Sequence, residues 1–162
     1  MIKKIVAAAN LMDLQSQFPS TEKGWTYRIE IQQSLYNGRL ILPENCKLLF
    51  EGGFFQNGIV RLNNAEQNDV LYEVWSNVTV EGYFKNNMIR PEWFGAHGKK
   101  TDDEPTLTED NSISINRCLE ISNRCGCEVL LLQRKYEIKN SIRILSGTSL
   151  SGVIEGNFDE SV

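Results

Sequence analysis

From Asn37-Gly38 to Val80 the chain is a succession of apolar runs three to five residues long, each cut off by Asn, Gly or Pro, and this punctuation restricts the fold more than any other feature. Leu40-Ile41-Leu42 ends at Pro43-Glu44-Asn45, Lys47-Leu48-Leu49-Phe50 ends at Gly52-Gly53, and Gly58-Ile59-Val60-Arg61-Leu62 ends at Asn63-Asn64. Val70-Leu71-Tyr72 and Val78-Thr79-Val80 keep the same rhythm. Such runs are too short for helices and fit strands joined by turns, with Asn and Gly supplying the turn geometry. A sandwich, a barrel or a coiled β-solenoid would each accommodate short strands at close spacing, and periodicity does not choose among them. Leu49-Phe50-Glu51-Gly52, Thr79-Val80-Glu81-Gly82 and Ser149-Leu150-Ser151-Gly152 repeat one degenerate pattern at separations of 30 and 70 residues. That is an approximate repeat without a fixed period, as expected where turn lengths vary from coil to coil.

The segments around this region can be read in chain order. Asn10 is a suitable N-cap, Asp13 stands in the first turn, and Leu11, Leu14 and Phe18 share one face before Pro19, which predicts a short docking or capping helix. Trp25, Tyr27, Ile29 and Ile31 alternate with Thr26, Arg28 and Glu30, the pattern of a half-buried strand. Farther on, Asp110-Asn111-Ser112 precedes Ile115, Cys118, Leu119 and Ser122, spaced as one face of a helix from about Ser112 to Arg124 that ends at Cys125-Gly126. Val129 through Leu132, Tyr136 through Ile138, Ile142 through Ile144 and Thr148 through Leu150 read as further short strands.

Between the two strand-rich segments lies Arg90-Pro91-Glu92-Trp93-Phe94-Gly95-Ala96-His97-Gly98. Two adjacent aromatics, a proline that fixes its own φ and small residues that permit close backbone approach suit a packed corner, so Pro91, Trp93, Phe94 and Gly95 are the junction candidates. The polar loop that follows carries Asp102, Asp103 and Glu104. Clustered carboxylates invite a Ca²⁺ or acid–base reading for Asp102 and Asp103. Without EF-hand spacing and its glycine, and beside Pro105, Thr106 and Thr108, they read instead as a solvated loop.

Composition bounds the function classes. The chain has 162 residues, 41% hydrophobic and 23% charged, enough for a buried core in one domain or two small modules. A net charge of −4 without a block of like charges gives no electrostatic footprint for nucleic acid or an anionic membrane. The apolar run near the N-terminus is about five residues, short of the ~7–15 of a secretory signal, so neither a cleaved signal nor a membrane span is expected. Cys46, Cys118, Cys125 and Cys127 lack a second close pair for a thiolate metal site and read as free thiols acting as small apolar residues. No cofactor is implied.

One resemblance is carried by particular residues. Trp93-Phe94-Gly95-Ala96-x-Gly98, Asp110-Asn111-Ser112 before a helix with Ile115-Asn116 and Leu119, Gly126-x-Glu128-Val129-x-Leu131, Tyr136-x-Ile138 and Ser146-Gly147-Thr148-Ser149-Leu150-Ser151-Gly152 together resemble the opening of the pectate-lyase-like right-handed parallel β-helix superfamily. Leu42-Pro43-Glu44-Asn45-Cys46, Phe50-x-Gly52-Gly53-x-x-x-Asn57-Gly58 and Pro91 through Ala96 are similar to the N-terminal module that precedes such helices in phage tail proteins. The resemblance covers most of residues 25–156. It departs from the family at Gly98-Lys99-Lys100-Thr101-Asp102-Asp103, which an extra loop, Lys99 through Glu109, separates from the helix, so a family role for Asp102 and Asp103 does not carry over.

The resemblance implies a mainly β fold: short right-handed parallel β-helix (β-solenoid) coils, an N-terminal β-rich module with a short leading helix over 1–90, and a capping helix with the first coils over 91–162. Roughly three or four coils fit if each takes ~25 residues, near the minimum for a stable solenoid. Three functions compete. The first is a structural or adaptor component of a phage virion (tail fibre, tailspike or related appendage), assembled in the bacterial cytoplasm, contacting other virion proteins and itself, most simply as a trimer. The second is part of a polysaccharide lyase or glycosidase, which requires paired carboxylates across a groove. The third is a non-catalytic module for host-surface glycans, with Trp25, Trp75, Trp93, Tyr83 and Phe84 as stacking platforms.

Overall fold

A computed structural model describes residues 1–99, 110–132 and 135–152, and the fold is mainly β with two α-helices among those residues. In chain order these are β1 (Ile2–Lys4), α1 (Leu11–Ser16), β2 (Thr26–Ile29), β3 (Gln32–Ser34), β4 (Arg39–Ile41), β5 (Lys47–Phe50), β6 (Phe54–Gln67), β7 (Trp75–Phe84), β8 (Met88–Ile89), a 3₁₀ turn (Pro91–Phe94), α2 (Ser112–Cys125), β9 (Glu128–Leu131) and β10 (Ser149–Gly152).

All pairings between these strands are parallel. In one sheet β1, β2, β5 and the end of β6 lie side by side, and β3, β4 and β7 pair with the earlier part of β6. Because β6 serves both rows of strands, the sheet curls around the apolar side chains. The registers recur: Ile2 lies opposite Thr26, Thr26 opposite Lys47, Lys47 opposite Glu66, Arg39 opposite Ile59 and Ile59 opposite Thr79. Each step spans a similar length of chain, so the parallel strands pair at a near-constant spacing along the sequence. The second sheet follows the same rule from β9 to β10, where Glu128 lies opposite Ser149. Only the β8–β9 step is longer, Met88 opposite Glu128, because α2 and the loop before it intervene.

This register corrects the repeat suggested by Leu49-Phe50-Glu51-Gly52, Thr79-Val80-Glu81-Gly82 and Ser149-Leu150-Ser151-Gly152. Those segments do not lie on one another: Leu49 faces Arg28, Thr79 faces Ile59 and Ser149 faces Glu128. What does repeat is the buried ladder. Leu40, Val60 and Val80 are inward in successive turns, as are Phe55 with Trp75, Tyr27 with Leu48, and Ile29 with Phe50. The Phe55 and Trp75 rings stack 5.6 Å apart at 16°, and an edge contact to Phe84 followed by a tilted one to Trp93 extends the aromatic column. Burial of such a continuous ladder supplies the main driving force, at about 25 cal/mol per Å² of apolar surface removed from water.

The corners are made by asparagine. Asn37, Asn57 and Asn77 all have φ of 50–56° and occupy the same corner of three successive turns, and Asn45 and Asn64 share another. Asparagine tolerates the left-handed region. Here its amides also bond the preceding corner, from Asn77 Nδ2 to Asn57 Oδ1 at 3.0 Å and from Asn64 Nδ2 to Asn45 Oδ1 at 2.6 Å.

Where a strand has no neighbour, a side-chain amide substitutes for one. Gln15 of α1 accepts from Ile41 N (2.8 Å) and donates to Ile41 O (2.9 Å). Gln17 does the same to Val6, Asn68 to Phe50 and Asn86 to Gln67. Helix α1 thereby closes the exposed edge of β4, held by Asn10 accepting from Asp13 N and by the buried Leu14 and Phe18.

Three expected strands are not strands. Val70-Leu71-Tyr72 is a turn whose Val70 carbonyl and Tyr72 hydroxyl bond Trp93 and Gly52. Tyr136 through Ile138 and Ile142 through Ile144 form no ladder, because α2 takes the place of a neighbouring strand. Asn116 bonds Ser141 O and Arg143 N, and Asn123 bonds Ser146 O. The alternation from Trp25 to Ile31 yields a shorter strand than expected, since Ile31 is exposed beyond the end of β2.

Candidate functional site

The junction begins with an ion pair. Arg90, 9% exposed, makes two parallel bonds to Asp69, 2.6 and 2.8 Å long, and this carboxylate holds the guanidinium more firmly protonated than usual. Pro91, with its fixed φ, starts the 3₁₀ turn Pro91–Phe94, and Gly95 ends it at φ 89°, where a side chain would be strained. A Cβ on Gly95 would also stand 3.0 Å from a Glu73 carboxylate oxygen. Residues 91–94 are all buried.

The turn continues the stacking. Phe55 N donates to Val74 O (2.9 Å) and Val74 N donates to Trp93 O (3.0 Å), so the corner sits one turn of chain above Val74 as Val74 sits above Phe55. Trp93, fully buried, donates its indole N–H to Val70 O at 2.9 Å. On the other side Ser114 of α2 donates to Phe94 O at 2.7 Å. Pro91, Trp93, Phe94 and Gly95 are therefore brought together as packing residues between the first sheet and α2. Asp102 and Asp103 lie outside the described residues.

Two features of this junction carry no signal in the sequence pattern. Glu92 is 3% exposed, accepts from the Tyr136 hydroxyl, and has its second oxygen without a hydrogen-bond partner. Asn111, also buried, does not cap α2 with its side chain; it accepts from His97 N and donates to Glu137 O, tying the chain before α2 to the chain after β9. The cap falls to Asp110, which accepts from Ser112 N, Ser112 Oγ, Lys139 N and Asn140 Nδ2. These donors, Ser112 first, hold its carboxyl well below the usual carboxylate range. The Asp-Asn-Ser run is legible as a helix start, but the division of labour within it depends on segments distant in sequence.

The surface offers a shallow groove of about 830 Å³ between the end of α1 and the corner after β4, lined among others by Gln15, Pro19, Pro43, Asn63 and Asn64. Its charged lining is Lys23 and Glu44, which bond each other at 2.6 Å. It thus presents one carboxylate where hydrolysis or elimination at a sugar needs two catalytic groups. Of the aromatic platforms, Trp75, Trp93 and Phe84 are in the core and Trp25 is half-buried against it, while Tyr83 is 59% exposed.

The cysteines are free thiols, buried at Cys46, Cys118 and Cys127 and half-buried at Cys125. Burial pushes Cys46 up to about 12 and Cys127 to about 11, and raises Cys118 as well. Among the described residues no group of three His, Cys, Asp or Glu side chains could hold a metal ion, and no helix is long and apolar enough to cross a membrane. No family model, curated protein or solved structure matches the chain.

Proposed function

We propose that this chain is a structural, adaptor-type component of a bacteriophage virion, part of a tail fibre, tailspike or related appendage, and that its parallel strands are coils of a short right-handed β-helix. One observation carries the reading: the polar side chains are used for cohesion between successive turns. Corner asparagines bond the preceding corner, Gln15, Gln17, Asn68 and Asn86 act as strand substitutes, Lys47–Glu66 pairs across neighbouring strands, and Arg39 of β4 reaches past β6 to Glu81 of β7. Such a surface suits a load-bearing rod better than a reaction site, whose carboxylates would need to converge on a groove. Right-handedness is supported by the strong bias of parallel crossover connections. The resemblance of Leu42 through Cys46, Phe50 through Gly58 and Pro91 through Ala96 to the N-terminal module of phage tail proteins supplies the virion assignment.

The test is to label the chain in purified particles of a phage that encodes it and to measure its native mass in solution. The proposal expects label on the tail appendage and an oligomer. A monomer that is absent from particles, or that depolymerises bacterial polysaccharide, would overturn it.

A further inference from the structure

Most cations among the described residues have a partner, which makes the exceptions informative. Among the described residues, Arg61, Lys85, Arg117 and Arg143 have side chains bonded to neither a carboxylate nor a carbonyl oxygen. Arg61, Lys85 and Arg143 are exposed and solvated. Arg117 is half-buried, on the face of α2 turned to β7, and it lines a cavity of about 120 Å³.

The cavity is closed below by apolar side chains, with Val78, Val80, Phe94 and Ile121 all at least nine-tenths buried. Its polar lining is Thr79, Arg117, Glu120 and Arg124. Arg124 is fixed, donating from Nε to Gly82 O at 2.7 Å and from Nη2 to Val80 O at 3.0 Å, so its charge stays at the rim. Glu120 is exposed and makes no ion pair with either arginine. Two positive charges, neither paired with a carboxylate, thus line a space that would hold a few water molecules at ~30 Å³ each. Partial removal of a guanidinium from water is costly unless an anion or acceptor compensates, and its planar fork suits a two-oxygen partner.

We propose that this cavity binds a single oxyanion, a carboxylate or phosphate group, between the Arg117 guanidinium and the Thr79 hydroxyl, with Arg124 adding positive charge at the rim. The group is either a free ion or the acidic substituent of a larger molecule lying along the outer face of β7, since the cavity has no room for a sugar ring. The site does not depend on the virion assignment.

The test follows the Arg117 Nε–H and Thr79 amide signals by NMR during titration with phosphate, with glucuronate and with neutral glucose. Phosphate or glucuronate should give saturable shifts at these two positions. The one that saturates at lower concentration distinguishes a free ion from an acidic sugar. Arg117→Gln should abolish the response, whereas Glu120→Gln, which removes the only carboxylate lining the cavity among the described residues, should tighten binding about two- to fivefold. The proposal is overturned if neither anion gives a saturable shift, if Arg117→Gln binds as well as the parent, if glucose produces the same shifts, or if Glu120→Gln, which leaves both arginines in place, fails to tighten.

Discussion

Gly82 provides the sharpest test of the stacking. It lies in β7 opposite Leu62 of β6, with φ +79°, and a Cβ there would stand 2.0 Å from Leu62 O and 3.0 Å from Leu62 C. These are backbone atoms, so no rotamer change can relieve the clash. Gly24 has nearly the same backbone, φ +71°, but nothing within 4 Å of its Cβ position. The two substitutions therefore share one term and differ in the other. Gly24→Ala should cost only the left-handed conformation, about 1–2 kcal/mol. Gly82→Ala adds separation of β7 from β6, a further ~1–3 kcal/mol by analogy with overpacked interiors. With a slope of about 2 kcal/mol per molar urea, the unfolding midpoint should fall by under ~1 M for Gly24→Ala and by about 1–2.5 M for Gly82→Ala. Equal midpoints for the two variants would refute the close parallel approach of β7 to β6.

Further outcomes follow from particular contacts. Gln15→Ala removes both bonds to Ile41 and should cost about 1–2 kcal/mol, seen as roughly tenfold faster hydrogen exchange at the Ile41 amide. Asp110 has a folded-state pKa depressed below its ordinary 3.8, so its contribution is complete above that value and is lost as pH falls through the folded value. The stability gap between the parent and Asp110→Ala, followed by urea unfolding across pH, should be constant above about pH 5 and should narrow in acid. Alkylation of the native protein at pH 8 followed by peptide mass analysis should modify Cys125 first, because Cys46, Cys118 and Cys127 are buried with raised thiol pKa values; all four should react in urea.

Local rules were sufficient where the structure is local. Asn10 and Asp13 mark the start of α1, Gly126 in the left-handed region ends α2, and the four residues spaced on one face of α2, Ile115, Cys118, Leu119 and Ser122, are all buried. The runs Lys47 through Phe50, Gly58 through Leu62 and Val78 through Val80 also lie in strands, but Gly58 through Leu62 is only the middle of β6, which continues through Asn63-Asn64 where a stop is expected, and Val70-Leu71-Tyr72 is no strand. The regular period is hidden in the sequence because similar tetrapeptides do not mark it, while the fold repeats positions. Leu40, Val60 and Val80 are chemically ordinary, and only together with the corner residues Asn37, Asn57 and Asn77 do they reveal the length of one turn. Tyr136 through Ile144 had strand composition, yet what decides its conformation is Asn116 and Asn123 on α2, which no local pattern announces. At the junction, Trp93 and Phe94 were recognisable as packing residues, whereas the burial of Glu92 and the bridging by Asn111 depend on Tyr136, His97 and Glu137, distant in sequence.

The proposed assembly role rests on the parallel pairing of strands at a near-constant spacing, and interstrand nuclear Overhauser contacts measure that pairing directly. The registers predict backbone contacts linking Arg39 to Ile59 and Ile59 to Thr79, with side-chain contacts joining Leu40, Val60 and Val80 in one column. Cross-peaks instead between chain neighbours folded back as antiparallel hairpins, such as β4 against β5, would contradict the account.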